Sequence, residues 1–127
     1  MKYIIDTHAF IWYAVGDARV SPKVIGVLES DIEKFISIAS IWEMAIKVNI
    51  GHLEFKNSFD DVVSNQIDLL NYRILNITLE HLFKLSTLEL HHRDPFDRLI
   101  ISQALVEKIP IISVDEKFDK YGIERIW

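Results

Sequence analysis

Apolar positions along this chain recur with two alternating periods. Residues 2–6 (KYIID) are a short apolar run ending on a carboxylate, the pattern of a buried strand. Thr7 and His8 follow it and open a short helix for which Asp6 is the natural cap. Ser21-Pro22 pairs an N-cap residue with a first helical position and predicts a helix to about Glu29. Residues 34–38 (KFISI) alternate as a strand does. From Ser40 the spacing becomes helical and runs to about Ile50, where Gly51 is a stop signal. Residues 58–70 form a second amphipathic segment, and 72–77 (YRILNI) are strand-like. Thr78 caps a helix reaching about Leu88. Asp94-Pro95 opens a longer helix to about Lys108. Residues 109–114 (IPIISV) read as a buried strand, and Ile123 and Ile126 flank a terminal edge strand.

Strands alternating with helices in this way predict βαβ units and a parallel sheet, with right-handed crossovers placing helices on both faces. In such open sheets the functional crevice lies at the carboxyl ends of the strands. No repeat, low-complexity stretch or linker interrupts the pattern, so residues 1–127 are expected to form one α/β domain. Half the residues are apolar, enough for a core without staples. With no cysteine, a disulfide scaffold, a thiol nucleophile and a thiolate metal site are excluded. The missing thiols fit a reducing cytoplasm. No secretory leader is expected from the short opening run, and no apolar run approaches the ~20 residues needed to span a bilayer. The net charge of −5 is the wrong sign for a protein that grips nucleic acid through a broad basic face. A polynucleotide substrate would therefore require bound cations to offset the local negative charge.

Against that background the placement of the acids matters. Asp6 and Asp115 each follow a strand, and each taken alone reads first as a helix cap. Glu43 completes Ser40-Ile41-Trp42-Glu43, a capping box, yet it also stacks with Ile46 and Ile50 on one helical face, where a carboxylate needs a partner. Cap and metal ligand both remain open for it. Asp94 reads as an N-cap. Asp97 favours the positive helix end and is followed on its own face by Ile101 and Ala104. The case for chemistry is joint. A doubly wound sheet collects strand ends and helix N-termini on one side, and carboxylates gathered there raise one another's pKa. A divalent cation removes that conflict. Oxygen donors without a histidine or cysteine cluster point to Mg2+ or Mn2+, ions that activate water and neutralise charge on a reacting phosphoryl group.

Ile5-Asp6-Thr7, Ser40-x-Trp42-Glu43, the run from His91 to Ala104 (HHRDPFDRLIISQA) and Ser113-x-Asp115 together resemble the PIN-domain ribonucleases. The resemblance spans essentially the whole chain and is nearest to the VapC-like toxins of type II toxin–antitoxin pairs. It implies a three-layer α/β/α fold with a five-stranded parallel sheet in the order 3-2-1-4-5. It implies Mg2+- or Mn2+-dependent cleavage of RNA, a homodimer and inhibition by a cognate antitoxin. The catalytic acids would be Asp6, Glu43, Asp97 and Asp115. Asp6, Asp97 and Asp115 would hold metal, and Thr7 and Ser113 would support them; Asp94, a cap first by its own sequence context, is a supporting acid second.

Arg93, Arg98 and Lys47 are candidates for RNA phosphates; solvated surface charge is the alternative for Lys47, and pairing with a helix-terminal acid for Arg98. His91 and His92 read as loop before a helix, with substrate contact as the alternative; His8, His52 and His81 share no metal spacing. Trp42, Phe96 and Leu99 read as core, as do Trp12, Tyr13 and the apolar positions of 22–28, which otherwise offer a face to a second copy or an antitoxin. Two other functions fit an acidic α/β domain. A phosphatase of the aspartyl-phosphate type needs a second aspartate two residues after the first, where this chain has His8. A receiver-type binding module needs an early pair of adjacent acids, whereas Asp6 stands alone.

Overall fold

The structure, a computed structural model, describes all 127 residues. Strand β1 (Lys2–Ile5) leads into α1 (Thr7–Ala14) and α2 (Pro22–Leu28). Then come β2 (Glu33–Ser37), α3 (Ile38–Asn49), α4 (Phe59–Leu70), β3 (Tyr72–Leu75), α5 (Leu79–Ser86) and α6 (Pro95–Glu107). β4 (Ile111–Ile112), a 3-10 helix (Glu116–Tyr121) and β5 (Arg125–Ile126) complete the chain. The five strands form one sheet in the order β3-β2-β1-β4-β5, every pair parallel. A receiver-type sheet runs 2-1-3-4-5 instead, so the strand order separates this chain from that class.

Alternation along β1 divides the core between two faces. Tyr3 and Ile5 point into a cluster with Phe10, Val24, Leu28, Ile36 and Met44, whereas Ile4 points into one with Ile100, Ile101, Ile111 and Phe118. Apolar clusters on both faces make the predicted three layers. Because β1 and β4 are neighbours, with Ile5 opposite Ile112, the chain leaves both strands at the same edge of the sheet. Asp6 and Ser113 are the residues that emerge there.

The helix starts are governed by caps, and most stand where the local chemistry places them. Ser21 accepts from the N–H of Val24, and Asp94 accepts from those of Phe96 and Asp97. Thr78 accepts from His81. Gly51, at φ +78°, takes the left-handed conformation just past the end of α3. One start differs from the sequence reading. Helix α3 begins at Ile38, not after Ser40, because Ser37 at the end of β2 turns directly into the helix and accepts from the N–H of Ala39. Ser40 is therefore inside the first turn, and Glu43 is not part of a capping box. β4 is also shorter than residues 109–114: only Ile111 and Ile112 pair on both sides.

Candidate active site

Each of the acids is delivered by a local structural need. Asp6 caps α1, its Oδ1 accepting from the N–H of Ala9 at 2.8 Å. Its Oδ2 accepts a hydrogen bond from the hydroxyl of Ser113. Ser113 in turn accepts from the N–H of Asp115, so β1 and β4 are tied across the sheet edge by two carboxyl-bearing residues and one serine. Asp115 caps the 3-10 helix, Oδ1 accepting from the N–H of Lys117 at 3.0 Å. Asp94 caps α6, which sets Asp97 at its third position. The cap and ligand readings of these acids are thus compatible, since capping leaves each carboxylate with free lone pairs.

Glu43 and Asp97 come from α3 and α6, two helices in contact at this edge. Both are buried. Glu43 Oε2 pairs with Lys47 Nζ at 2.9 Å, while Oε1 is buried with no hydrogen-bond partner at all. Ile46 and Ile50, expected to share an apolar face with Glu43, are exposed. Glu43 is buried in the first half of the helix, whereas Ile46 and Ile50 lie further along the same face, towards its exposed C-terminal end. Asp97 does stand over a buried apolar face, with Ile101 and Ala104 beneath it. Its carboxyl is pushed up to about 8, first by burial and then by the charges of Asp94, Asp6, Glu43 and Asp115. Asp6 is also raised, by burial above all, against the pull of Ser113 and the Ala9 N–H. Asp115 behaves oppositely. Burial pushes it up, but the Lys117 N–H and the His92 ring outweigh that and hold it below the usual carboxylate range.

The tightest group at the site contains a residue that reads from the sequence as loop. Donor atoms of His92, Asp97 and Asp115 all lie within 4.8 Å of one another. His92 Nε2 is 2.8 Å from Asp115 Oδ2 and 3.2 Å from Asp97 Oδ2, and the residue is buried. Its spacing two residues before the Asp94 cap is the one local signal for it. Its carboxylate partner, Asp115, is too far along the chain to be inferred.

Other candidates divide. Thr7 donates to Ser40 Oγ at 2.9 Å and so joins α1 to α3 instead of orienting a carboxylate. Arg98 is committed to the fold: its guanidinium donates to the backbone carbonyls of Leu88, Glu89 and His92. Lys47 is held by Glu43. Arg93 is exposed and makes no side-chain hydrogen bond. Trp42 is not core. It is 56% exposed and meets the half-buried Phe96 edge to face, with ring centroids 5.0 Å apart. Each of these rings is one residue before an acid of the site. Trp12 and Tyr13 are half-buried against the core, as expected.

The site is a group of carboxylates beside one imidazole, with one carboxylate oxygen unpartnered and Asp97 raised by burial and by the like charges around it. A divalent cation fits it, because a bound cation would give Glu43 Oε1 a partner and lower the cost of ionising Asp97.

The sequence matches the PIN domain family model over residues 3–124. The chain belongs to the PIN domain family. That membership implies nuclease activity, generally metal-dependent. Among solved structures, the PIN fold here is similar to VapBC2 from Rickettsia felis bound to a DNA fragment from its promoter, at TM-score 0.76 and 14% identity, covering 99% of this chain and 98% of that one. It is similar to FitAcB from Neisseria gonorrhoeae at TM-score 0.71 and 15% identity, covering 98% and 96%. It is also similar to VapBC-1 from nontypeable Haemophilus influenzae at TM-score 0.68 and 16% identity, covering 99% and 97%. No curated protein matches the sequence.

Proposed function

We propose that this PIN domain is an RNA-cleaving nuclease, dependent on Mg2+ or Mn2+, and the toxin half of a toxin–antitoxin pair. The observation that carries the reading is Glu43 Oε1, a buried carboxylate oxygen without a partner beside an acid already crowded by like charges. Asp6, Asp97 and Asp115 would hold the metal, with Glu43 completing the cluster. The ion supplies Lewis-acid activation of water and offsets charge at the reacting phosphodiester. The chain's own groups do the rest. Ser113 and the start of α1 fix the Asp6 carboxylate. Asp94 fixes the first turn of α6 and hence Asp97. Lys47 balances part of the charge on Glu43. Purified protein incubated with RNA should cleave it when Mg2+ or Mn2+ is supplied and stop when EDTA is added. Cleavage that continues unchanged in EDTA overturns the metal reading.

The partners follow from the same reading. A similar solved structure, at TM-score 0.62 and 17% identity, is a toxin–antitoxin complex from Klebsiella pneumoniae, and a cognate antitoxin is proposed here by that likeness. A homodimer and a cytoplasmic place of action are proposed with it. Leu79, Phe83 and Leu90 are exposed, apolar surface of the kind that protein partners cover. No helix is long and apolar enough to cross a membrane. The phosphatase alternative has nothing to support it, since the place its second aspartate would take is the exposed His8.

RNA binding cannot rest on ionic contacts alone, since the chain carries −5 and Arg98 and Lys47 are engaged internally. Trp42 and Phe96 offer a stacking surface beside the acids. Trp42→Ala is expected to weaken RNA binding by roughly 5- to 150-fold, the range for losing one base–aromatic stack. Trp42→Phe should retain most of it. The check is titration of the protein in Ca2+, a cation of the same oxygen-ligand chemistry, with a fluorescently labelled single-stranded RNA confirmed intact at the end. Equal affinity for wild type and Trp42→Ala would remove Trp42 from the binding surface.

A further inference from the structure

The hydrogen bonds of His92 decide what its ring can do. The backbone N–H of Asp94 donates to Nδ1 at 3.2 Å, so that nitrogen offers a lone pair and carries no proton. The ring proton is then on Nε2, the atom that faces Asp115 Oδ2 at 2.8 Å and Asp97 Oδ2 at 3.2 Å. A nitrogen that carries a proton has no lone pair for a cation. For Nε2 to be a ligand, the proton would have to move to Nδ1 and face the N–H of Asp94, donor against donor, at the start of α6. The ring is also fixed from outside. It stacks on Phe118 with centroids 5.7 Å apart and planes at 28°, and the His92 backbone N–H donates to the Tyr121 hydroxyl at 2.8 Å. The same arrangement recurs away from the site at His81. There Nδ1 accepts from the N–H of Thr78 at 3.0 Å, and Nε2 faces Glu107 Oε1 at 3.0 Å.

We propose that His92 is a positioning residue and not a metal ligand: its Nε2–H holds Asp115 by a hydrogen bond and stands between Asp115 and Asp97, keeping the pair in the orientation a cation needs. The proposal rests on the metal-nuclease reading above and deepens it. The clamp works on two carboxylates that would otherwise repel each other apart. It holds Oδ2 of Asp115 while the Lys117 N–H holds Oδ1, so Asp115 is aligned before a cation arrives. His92 thereby acts on the reaction through two other side chains and touches no substrate.

The test begins with metal-free protein, where nuclease activity plays no part. Nitrogen-15 and proton correlation spectra of the imidazoles, with His92→Gln used to assign the signal, should report a protonated Nε2 and an unprotonated Nδ1 for His92, as for His81. Addition of Mg2+ should leave that tautomer unchanged. A protonated Nδ1 in either state overturns the proposal. The second arm measures Mn2+ binding by electron paramagnetic resonance. His92→Ala should weaken binding roughly 10- to 100-fold, the usual cost of losing a group that orients a ligand. His92→Gln, whose side-chain amide can present an N–H to Asp115, should recover most of it. Equal binding by wild type and His92→Ala, or a His92→Gln variant as weak as His92→Ala, would overturn the clamp. If wild type binds neither ion, the metal reading falls, while the tautomer result still judges the His92 geometry separately.

Discussion

The substitution Asp97→Asn is expected to lower RNA cleavage by at least about a hundredfold while making the metal-free protein more stable above neutral pH. The activity loss exceeds the roughly 10- to 100-fold typical of residues that only support a ligand, because the proposed role of Asp97 is direct. The stability gain follows from the sign of the pKa shift. The carboxyl is pushed up to about 8 in the folded chain, chiefly by burial and then by Asp94, Asp6, Glu43 and Asp115, from an ordinary 3.8. Between those values the folded state binds more protons than the unfolded state, so stability falls as pH rises through the window. This one group can lower it by up to about 1.4 kcal/mol per pH unit. The amide of the variant has nearly the same shape as the carboxyl and no charge to bury, so stability of Asp97→Asn should be flatter from about pH 5 to about pH 8. Thermal denaturation of both proteins in EDTA across that range is the measurement. Parallel curves would show that Asp97 carries no such burden, and full cleavage by Asp97→Asn in saturating Mg2+ would end its assignment.

Phe118→Ala is expected to lower Tm by roughly 10–20 °C, the consequence of a ~3–5 kcal/mol loss on emptying a large core site. Phe118 is fully buried among Ile4, Ile100, Ile101, Ala104, Ile111 and Ile123, so the surrounding side chains can close the hole only in part. It is also the surface on which the His92 ring lies. A second variant separates these effects. Phe118→Leu keeps most of the volume and should cost less than about 1.5 kcal/mol. If it also lowers activity by much more than its effect on Tm implies, the ring contact has a function beyond packing. A Tm for Phe118→Ala within about 3 °C of wild type, by differential scanning calorimetry, would contradict the core assignment.

Much of the fold is legible in the chain because its signals are local. Ser21-Pro22, Thr78 and Asp94-Pro95 start helices for reasons contained in a few consecutive residues, and the structure keeps all three. The apolar run before Asp6 places that acid at a strand end by period alone, whereas β4 stops at Ile112 and Asp115 caps the 3-10 helix beyond it. Pattern fails where two local signals compete. Ser37 and Ser40 both look like caps, and only the pairing of β2 with β1 and β3, which holds the chain extended up to Ser37, chooses between them. Ile46 and Ile50 share a helical face with the buried Glu43 but lie towards the exposed end of α3, which spacing does not reveal. Trp42 reads as core because a large aromatic beside apolar neighbours usually is, yet it lies on the outer side of α3.

The sequence by itself determined which residues carry charge at helix starts and strand ends, and therefore that a parallel sheet would bring acids to one edge. Periodicity and capping act over a few residues, so they can be read without coordinates. Only the tertiary structure decided which groups meet. The Ser113 bond to Asp6 joins residues 107 positions apart, and the contact of His92 with Asp115 spans 23. Neither separation leaves a trace in local pattern. The burial that raises Asp97, and that leaves one oxygen of Glu43 without a partner, likewise comes from packing α3 against α6, a property of no single segment.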